Sequence, residues 1–171
     1  MLGTLSYFPM FFLNLILVGA WHMATMTIGQ KRPAASFRPE SACYRPRKWE
    51  HGGRWYRDHL GINAWKDRLP QFTAKDIGFS KGRLRSLSPE YLDRFICETC
   101  RGEWVHAVNL FCIAPALLLN APLVGLVLSL MIFLGNAPFA LVQRYNRFRL
   151  QALRRRVRTG EKAEQKMQKN Y

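Results

Sequence analysis

Three stretches of this chain, residues 5–27, 104–119 and 122–142, carry no Asp, Glu, Lys or Arg, and all 26 basic and 11 acidic residues lie between or after them. The first is 23 residues long, about 34 Å as a helix, enough to cross a hydrocarbon core of about 30 Å. In lipid the backbone must satisfy its own hydrogen bonds, and a helix does so within one segment. The pattern therefore predicts an all-α integral membrane protein. It has about three transmembrane helices, with a partly helical cytoplasmic segment between the first and second. Four regions follow: an N-terminal transmembrane helix (1–30), a cytoplasmic or interfacial segment (31–103), a transmembrane hairpin (104–142) and a basic cytoplasmic tail (143–171).

A formal charge of +15 raises the question of nucleic acid, because basic patches bind phosphate backbones. The placement of the charge argues against that partner. Sixteen basic residues lie between the first and second apolar stretches and ten follow the third, as expected of cytoplasmic flanks in contact with anionic lipid. No basic side chain precedes the first stretch, whereas Lys31, Arg32 and Arg38 follow it. This puts the N-terminus outside and residues 31–103 and the tail inside. With no basic leader and a long apolar run, the first stretch reads as a retained helix rather than a cleaved signal. Its Asn14 and His22 read as interhelical hydrogen-bonding or interfacial residues.

The segment 31–103 is too polar to span and too aromatic for a disordered linker. Trp49, Trp55, Tyr56, Trp65, Phe72 and Phe79 alternate with Arg45, Arg47, Lys48, Arg54, Arg57, Lys66 and Arg68. That mixture suits a lipid head-group surface, or a pocket for a phosphate-bearing donor. Ser88-Pro89-Glu90 has the form of a helix start: a side-chain cap, a proline at the first helical position and an acid in the first turn. On that helix Glu98, Thr99, Gly102, Glu103, His106 and Asn109 fall within an arc of roughly 140°. A polar stripe of this kind faces another helix or a wet cavity, since lipid does not solvate it.

Asn120-Ala121-Pro122 predicts a tight turn, so the third apolar stretch runs back toward Gln143-Arg144-Tyr145-Asn146-Arg147-Phe148-Arg149. Asn136, Gln143 and Arg147 then stack within about 40° on one helical face. Pro138 is a candidate kink.

Candidate chemistry follows from these two polar stretches. His106 lies three residues after Glu103, so the carboxylate can orient the imidazole as a general base, with Glu98 and Arg101 on the same helix. Arg144 and Arg147 can hold a phosphate or receive an oxyanion's charge, and Asn136, Gln143, Tyr145 and Asn146 line the same helix as candidate substrate contacts. These are the parts for moving an acyl group onto a hydroxyl. Ion pairs that only hold helices together remain the competing reading. The Cys97/Cys100 pair has no second pair to complete a zinc site, and no metal is expected. Nucleophile-elbow, phosphate-loop, dinucleotide and His-x4-Asp patterns are absent.

The strings Glu98-Thr99-Cys100-Arg101-Gly102-Glu103-Trp104-Val105-His106, Asn136-Ala137-Pro138 and Gln143-Arg144-Tyr145-Asn146-Arg147-Phe148-Arg149-Leu150 resemble the glycosyl-4,4'-diaponeurosporenoate acyltransferase family. The likeness extends to Trp65-Lys66-Asp67-Arg68-Leu69-Pro70 and Gly78-Phe79-Ser80-Lys81. The resemblance implies a small bacterial multi-pass membrane protein that joins a fatty acyl group to a sugar hydroxyl of a glycosylated carotenoid, as in staphyloxanthin-type pigments. It implies no cofactor beyond acyl-CoA or another acyl donor as co-substrate. Implied partners are membrane lipids, the glycolipid or carotenoid substrate and other enzymes of the pathway. The alternative is a non-catalytic lipid-binding or assembly subunit of such a pathway.

Overall fold

The computed structural model describes residues 7–70 and 84–168. Phe72 and Phe79 and the string from Gly78 to Lys81 lie outside the described residues. Six α-helices occur in chain order: α1 (Tyr7–Lys31), α2 (Arg54–Leu60), α3 (Ile62–Trp65), α4 (Pro89–Asn109), α5 (Ile113–Leu119) and α6 (Pro122–Gln168). Short 3-10 turns join several of them, and no strand occurs among the described residues. Three helical segments, Pro9–Lys31, Pro89–Leu119 and Pro122–Glu161, are long and apolar enough to cross a membrane. The chain divides into a span unit, Met1–Pro33 with Arg101–Leu141, and a connector unit, Ala34–Cys100 with Val142–Tyr171.

The span unit consists of α1, the later part of α4, α5 and the earlier part of α6. Its core is Cys112, Ala116 and Ile132, packed with Leu17, Val18, Ile113 and Leu128. The side chains that point away from this core are apolar as well: Leu118 is 83% exposed, Leu123 73% and Ile16 67%. An apolar outer surface of this extent is stable in lipid and not in water. The hairpin turn is set by Asn120, whose backbone is extended and whose side-chain amide donates to Ala116 O at 2.9 Å. Asn120 and Asn14 of α1 form a reciprocal amide pair at 2.7 and 2.9 Å. Gly125 lets α6 lie against α5, because a Cβ there would come within 2.9 Å of Ala116 O. Gly29 does the same for α1 beside Val105 of α4.

The connector unit is organised around the first turns of α4 and the later part of α6. Ser88 caps α4 by accepting from the Tyr91 N–H at 3.3 Å, with Pro89 as the first helical residue, in keeping with the start signal in the sequence. Leu92, Phe95 and Ile96 of α4 bury against Leu150 of α6, flanked by Tyr91, Leu153 and Val157. Helix α6 does not stop at Val142; the basic tail continues it to Gln168. Residues 143–158 are rich in Arg, with Leu and Gln, and contain no Gly or Pro, so nothing in their propensity ends the helix.

Between Glu50 and α2 the chain reverses through three successive left-handed residues, His51 (φ 47°), Gly52 (φ 67°) and Gly53 (φ 94°). At Gly53 the backbone also touches Phe148, whose Cβ would stand 3.0 Å from an added methyl. Gly53→Ala therefore meets both a backbone and a steric penalty. It is expected to cost about 1–3 kcal/mol, read as a drop in the thermal midpoint of the purified protein, whereas Gly52→Ala, with nothing within 4 Å, meets the backbone penalty alone.

Candidate functional site

Two polar clusters carry the residues singled out in the sequence, one in each unit. In the span unit the polar face of α4 is turned inward: Arg101 is 7% and Asn109 4% exposed, and Glu103 and His106 are half-buried. Arg101 donates to Arg32 O at 2.8 Å. That carbonyl lies just past the last turn of α1, where helix-end carbonyls lack intrahelical donors. The Arg32 guanidinium in turn lies 5.6 Å from the Trp104 ring.

His106, one turn beyond Glu103, meets Asn136 of α6, with Nδ1 3.2 Å from Asn136 Oδ1. Its ring is stacked on Phe139, centroids 5.0 Å apart and planes 19° from parallel. Asn136 is buried, and its amide is engaged on both sides. Oδ1 also accepts from Asn109 Nδ2 at 3.1 Å, while Nδ2 donates to Ile132 O at 2.9 Å and lies 3.1 Å from His22 Nε2. His22 Nδ1 is 2.9 Å from Val18 O. Three helices thus meet at one asparagine, which was read in the sequence as a substrate contact.

In the connector unit the central group is Glu50, a carboxylate with no exposed surface. Its Oε2 accepts from the Arg47 backbone N–H at 2.6 Å and from Arg144 Nη2 at 2.9 Å, and its Oε1 accepts from Arg144 Nε and the Tyr56 hydroxyl. Arg144 also donates to Cys43 O at 3.0 Å and Arg45 O at 3.1 Å. Burial by itself pushes the Glu50 carboxyl up, but the bonds from Arg144, Tyr56 and Arg47 and the Arg144 charge outweigh it and hold the group below the usual carboxylate range. Burial, and then the hydrogen bond to Glu50 and the charge of that carboxylate, push the Tyr56 phenol well up. Sequence reasoning passed over Glu50. The available signal was that it is the one acid among Arg45, Arg47, Lys48, Arg54 and Arg57, between Trp49 and Tyr56.

The remaining candidates lie elsewhere in the same unit. Tyr145 is buried and donates to Asn63 Oδ1 at 3.0 Å, and its ring lies beside Tyr56. Arg147, 2% exposed, donates to Cys100 Sγ at 3.5 Å and lies 5.4 Å over the Tyr44 ring. Glu98 and Thr99 are buried on the connector part of α4, and Gln143 and Asn146 are half-buried on α6. The four cysteines are free thiols.

Residues 40–156, most of the chain, match the family model described as glycosyl-4,4'-diaponeurosporenoate acyltransferase. The chain belongs to this family. Its curated relatives carry the same name: the protein of Staphylococcus aureus strain N315 is 27% identical over 139 residues, covering 79% of this chain and 82% of the relative. That of the bovine strain RF122 is 26% identical over the same length. No solved structure matches. The family assignment makes this an acyltransferase, and the three apolar helices make it a membrane protein. The part matched to the glycosyl-4,4'-diaponeurosporenoate acyltransferases contains Glu50, the α4 stripe, Asn136, Arg144 and Arg147. His22 precedes it.

Proposed function

We propose that the chain esterifies a sugar hydroxyl of a glycosylated carotenoid, or of a related glycolipid, with a fatty acyl group from acyl-CoA or another acyl donor. The observation that carries this reading is an imidazole on a membrane-spanning helix, held by Asn136 and Phe139, in a member of a family named for acyl transfer to a glycoside. The sugar hydroxyl gives its proton to His106 as its oxygen attacks the acyl carbonyl. A tetrahedral oxyanion forms, the bond to the leaving thiolate breaks, and the proton passes from His106 to the leaving sulfur. Glu103, on the same face of α4, balances the imidazolium formed midway.

The four N–H bonds of Arg144 to Glu50, Cys43 O and Arg45 O favour a role in shaping the connector unit, where Arg147, Tyr145, Gln143 and Asn146 are the nearest groups along α6 for a donor. The N-terminus lies outside, and residues 31–103 and the tail lie on the cytoplasmic side. The exposed Arg155, Arg156 and Arg158 there meet anionic head groups, and other enzymes of the pathway are the expected neighbours.

The test is reconstitution in lipid nanodiscs with palmitoyl-CoA and glycosyl-4,4'-diaponeurosporenoate, with products analysed by mass spectrometry. The expected product is the acceptor plus one fatty acid less water, together with stoichiometric free CoA. Neither ester nor free CoA, from acyl-CoA or from phospholipid as donor, would overturn the proposal.

A further inference from the structure

In the span unit two backbone carbonyls decide where every proton of the His22, Asn136 and His106 chain lies. Ile132 O can only accept, so the Asn136 atom 2.9 Å from it is the amide nitrogen, and Oδ1 is turned toward His106 and Asn109. An amide oxygen can only accept as well, so His106 carries a hydrogen on Nδ1. At the other end Val18 O fixes a hydrogen on His22 Nδ1, which leaves the neutral His22 ring an Nε2 lone pair to receive Asn136 Nδ2–H. With both rings neutral, the network is consistent in this one arrangement. It puts the lone pair of neutral His106 on Nε2, although a histidine in water favours the opposite tautomer.

We infer that Asn136 and His22 are positioning residues that hold His106 in the tautomer whose Nε2 is basic, which makes α1 a part of the catalytic apparatus as well as an anchor. The inference rests on the reading of His106 as the base. The carbonyls of Ile132 and Val18 set the Asn136 amide and the His22 ring, Asn136 Oδ1 sets the His106 proton, and Phe139 sets the plane of the His106 ring. A carboxylate fills the comparable place beside the histidine of serine hydrolases, where loss of the tautomer lowers turnover severely. Here a neutral amide does it, with no charge added to an apolar surrounding.

The experiment uses full-length protein in nanodiscs with 15N-labelled histidine. The native spectrum is expected to show neutral His106 protonated at Nδ1. In Asn136→Leu the proton moves to Nε2, and kcat falls at least about tenfold with little change in KM. His22→Leu is expected to lower kcat less. His22→Gln, which keeps an acceptor for Asn136 Nδ2, restores most of it, a rescue that a purely packing role does not give. Native His106 protonated at Nε2, native kcat in a folded Asn136→Leu variant, or equal loss in the two His22 variants would each overturn the positioning role alone. Should Asn136→Leu not accumulate, the native tautomer and the His22 pair decide. Native turnover in His106→Ala instead removes the base itself, and the positioning role with it.

Discussion

His106→Ala is expected to lower acyl transfer by about a hundred- to ten-thousand-fold while leaving insertion and accumulation unchanged. The size follows from the proton it handles: without a base, the sugar hydroxyl must attack as the neutral alcohol. The insensitivity of the fold follows from the site. His106 is half-buried and contributes one hydrogen bond to Asn136, whose amide keeps Asn109, Ile132 O and His22 as partners. Initial rates in nanodiscs, normalised to folded protein by size-exclusion profile, measure it. A loss smaller than about threefold would remove the residue from the proton-transfer step. His106→Gln separates position from chemistry, since it restores a side chain of similar reach that cannot take a proton.

The second large effect is structural. Glu50→Gln leaves the half-buried Arg144 guanidinium opposite a neutral amide that also has donors to place, and Glu50→Ala removes the acceptor altogether. Breaking one partner of a fully buried ion pair costs about 3–5 kcal/mol, an upper bound here because Arg144 is partly exposed and keeps the carbonyls of Cys43 and Arg45. Either change is expected to unfold the connector unit at temperatures where the native chain holds, read as lost amide-exchange protection across α2 and residues 43–50. Arg144→Lys with Glu50 intact should lose protection as well, because one ammonium cannot reach both carboxylate oxygens and the carbonyls of Cys43 and Arg45. The pair also sets a pH window. Glu50 titrates below its ordinary value near 4.5, so its stabilisation is complete above that pH and is lost as pH falls through the lower native value. Tyr56 is raised from 10.0, so its contribution is complete below that pH and is lost only as alkaline pH passes the higher native value. Exchange protection of the connector unit should therefore collapse on the acid side first, and Glu50→Gln should flatten that acid limb.

How far the sequence carries depends on the range of the interaction. The three spans, the cap at Ser88 and the inward polar face of α4 are local or periodic features, and charge-free windows, a Ser-Pro-Glu start and a 100° repeat suffice to read them. The family strings pointed to the correct acyltransferase class for the same reason, being contiguous. The partners of these residues were not legible. Arg144 and Glu50 are separated by 94 positions, and a lone acid in a basic stretch gives no indication of which arginine it will meet. Asn136 looked like a substrate contact because it shares a helical face with Gln143 and Arg147. What the shared face does not reveal is that its amide is oriented by Ile132 O and His22, the latter 114 residues away. The helical tail was missed because charge was read as an address and not also as helix propensity.

The pairing of Asn14 with Asn120 and of His22 with Asn136 bears on how the chain is made. Helix α1 leaves the ribosome with an amide and an imidazole whose partners are 106 and 114 residues behind it. Until they are synthesised these groups face lipid, water or the insertion machinery. The first helix is long and apolar enough to cross the bilayer by itself, but its polar contacts are completed only by the last. An unfinished chain leaves the Asn14 amide and His22 Nε2 without their partners from the later part of the chain, so the polar contacts of α1 are completed only when the end of α5 and the third span pack against it.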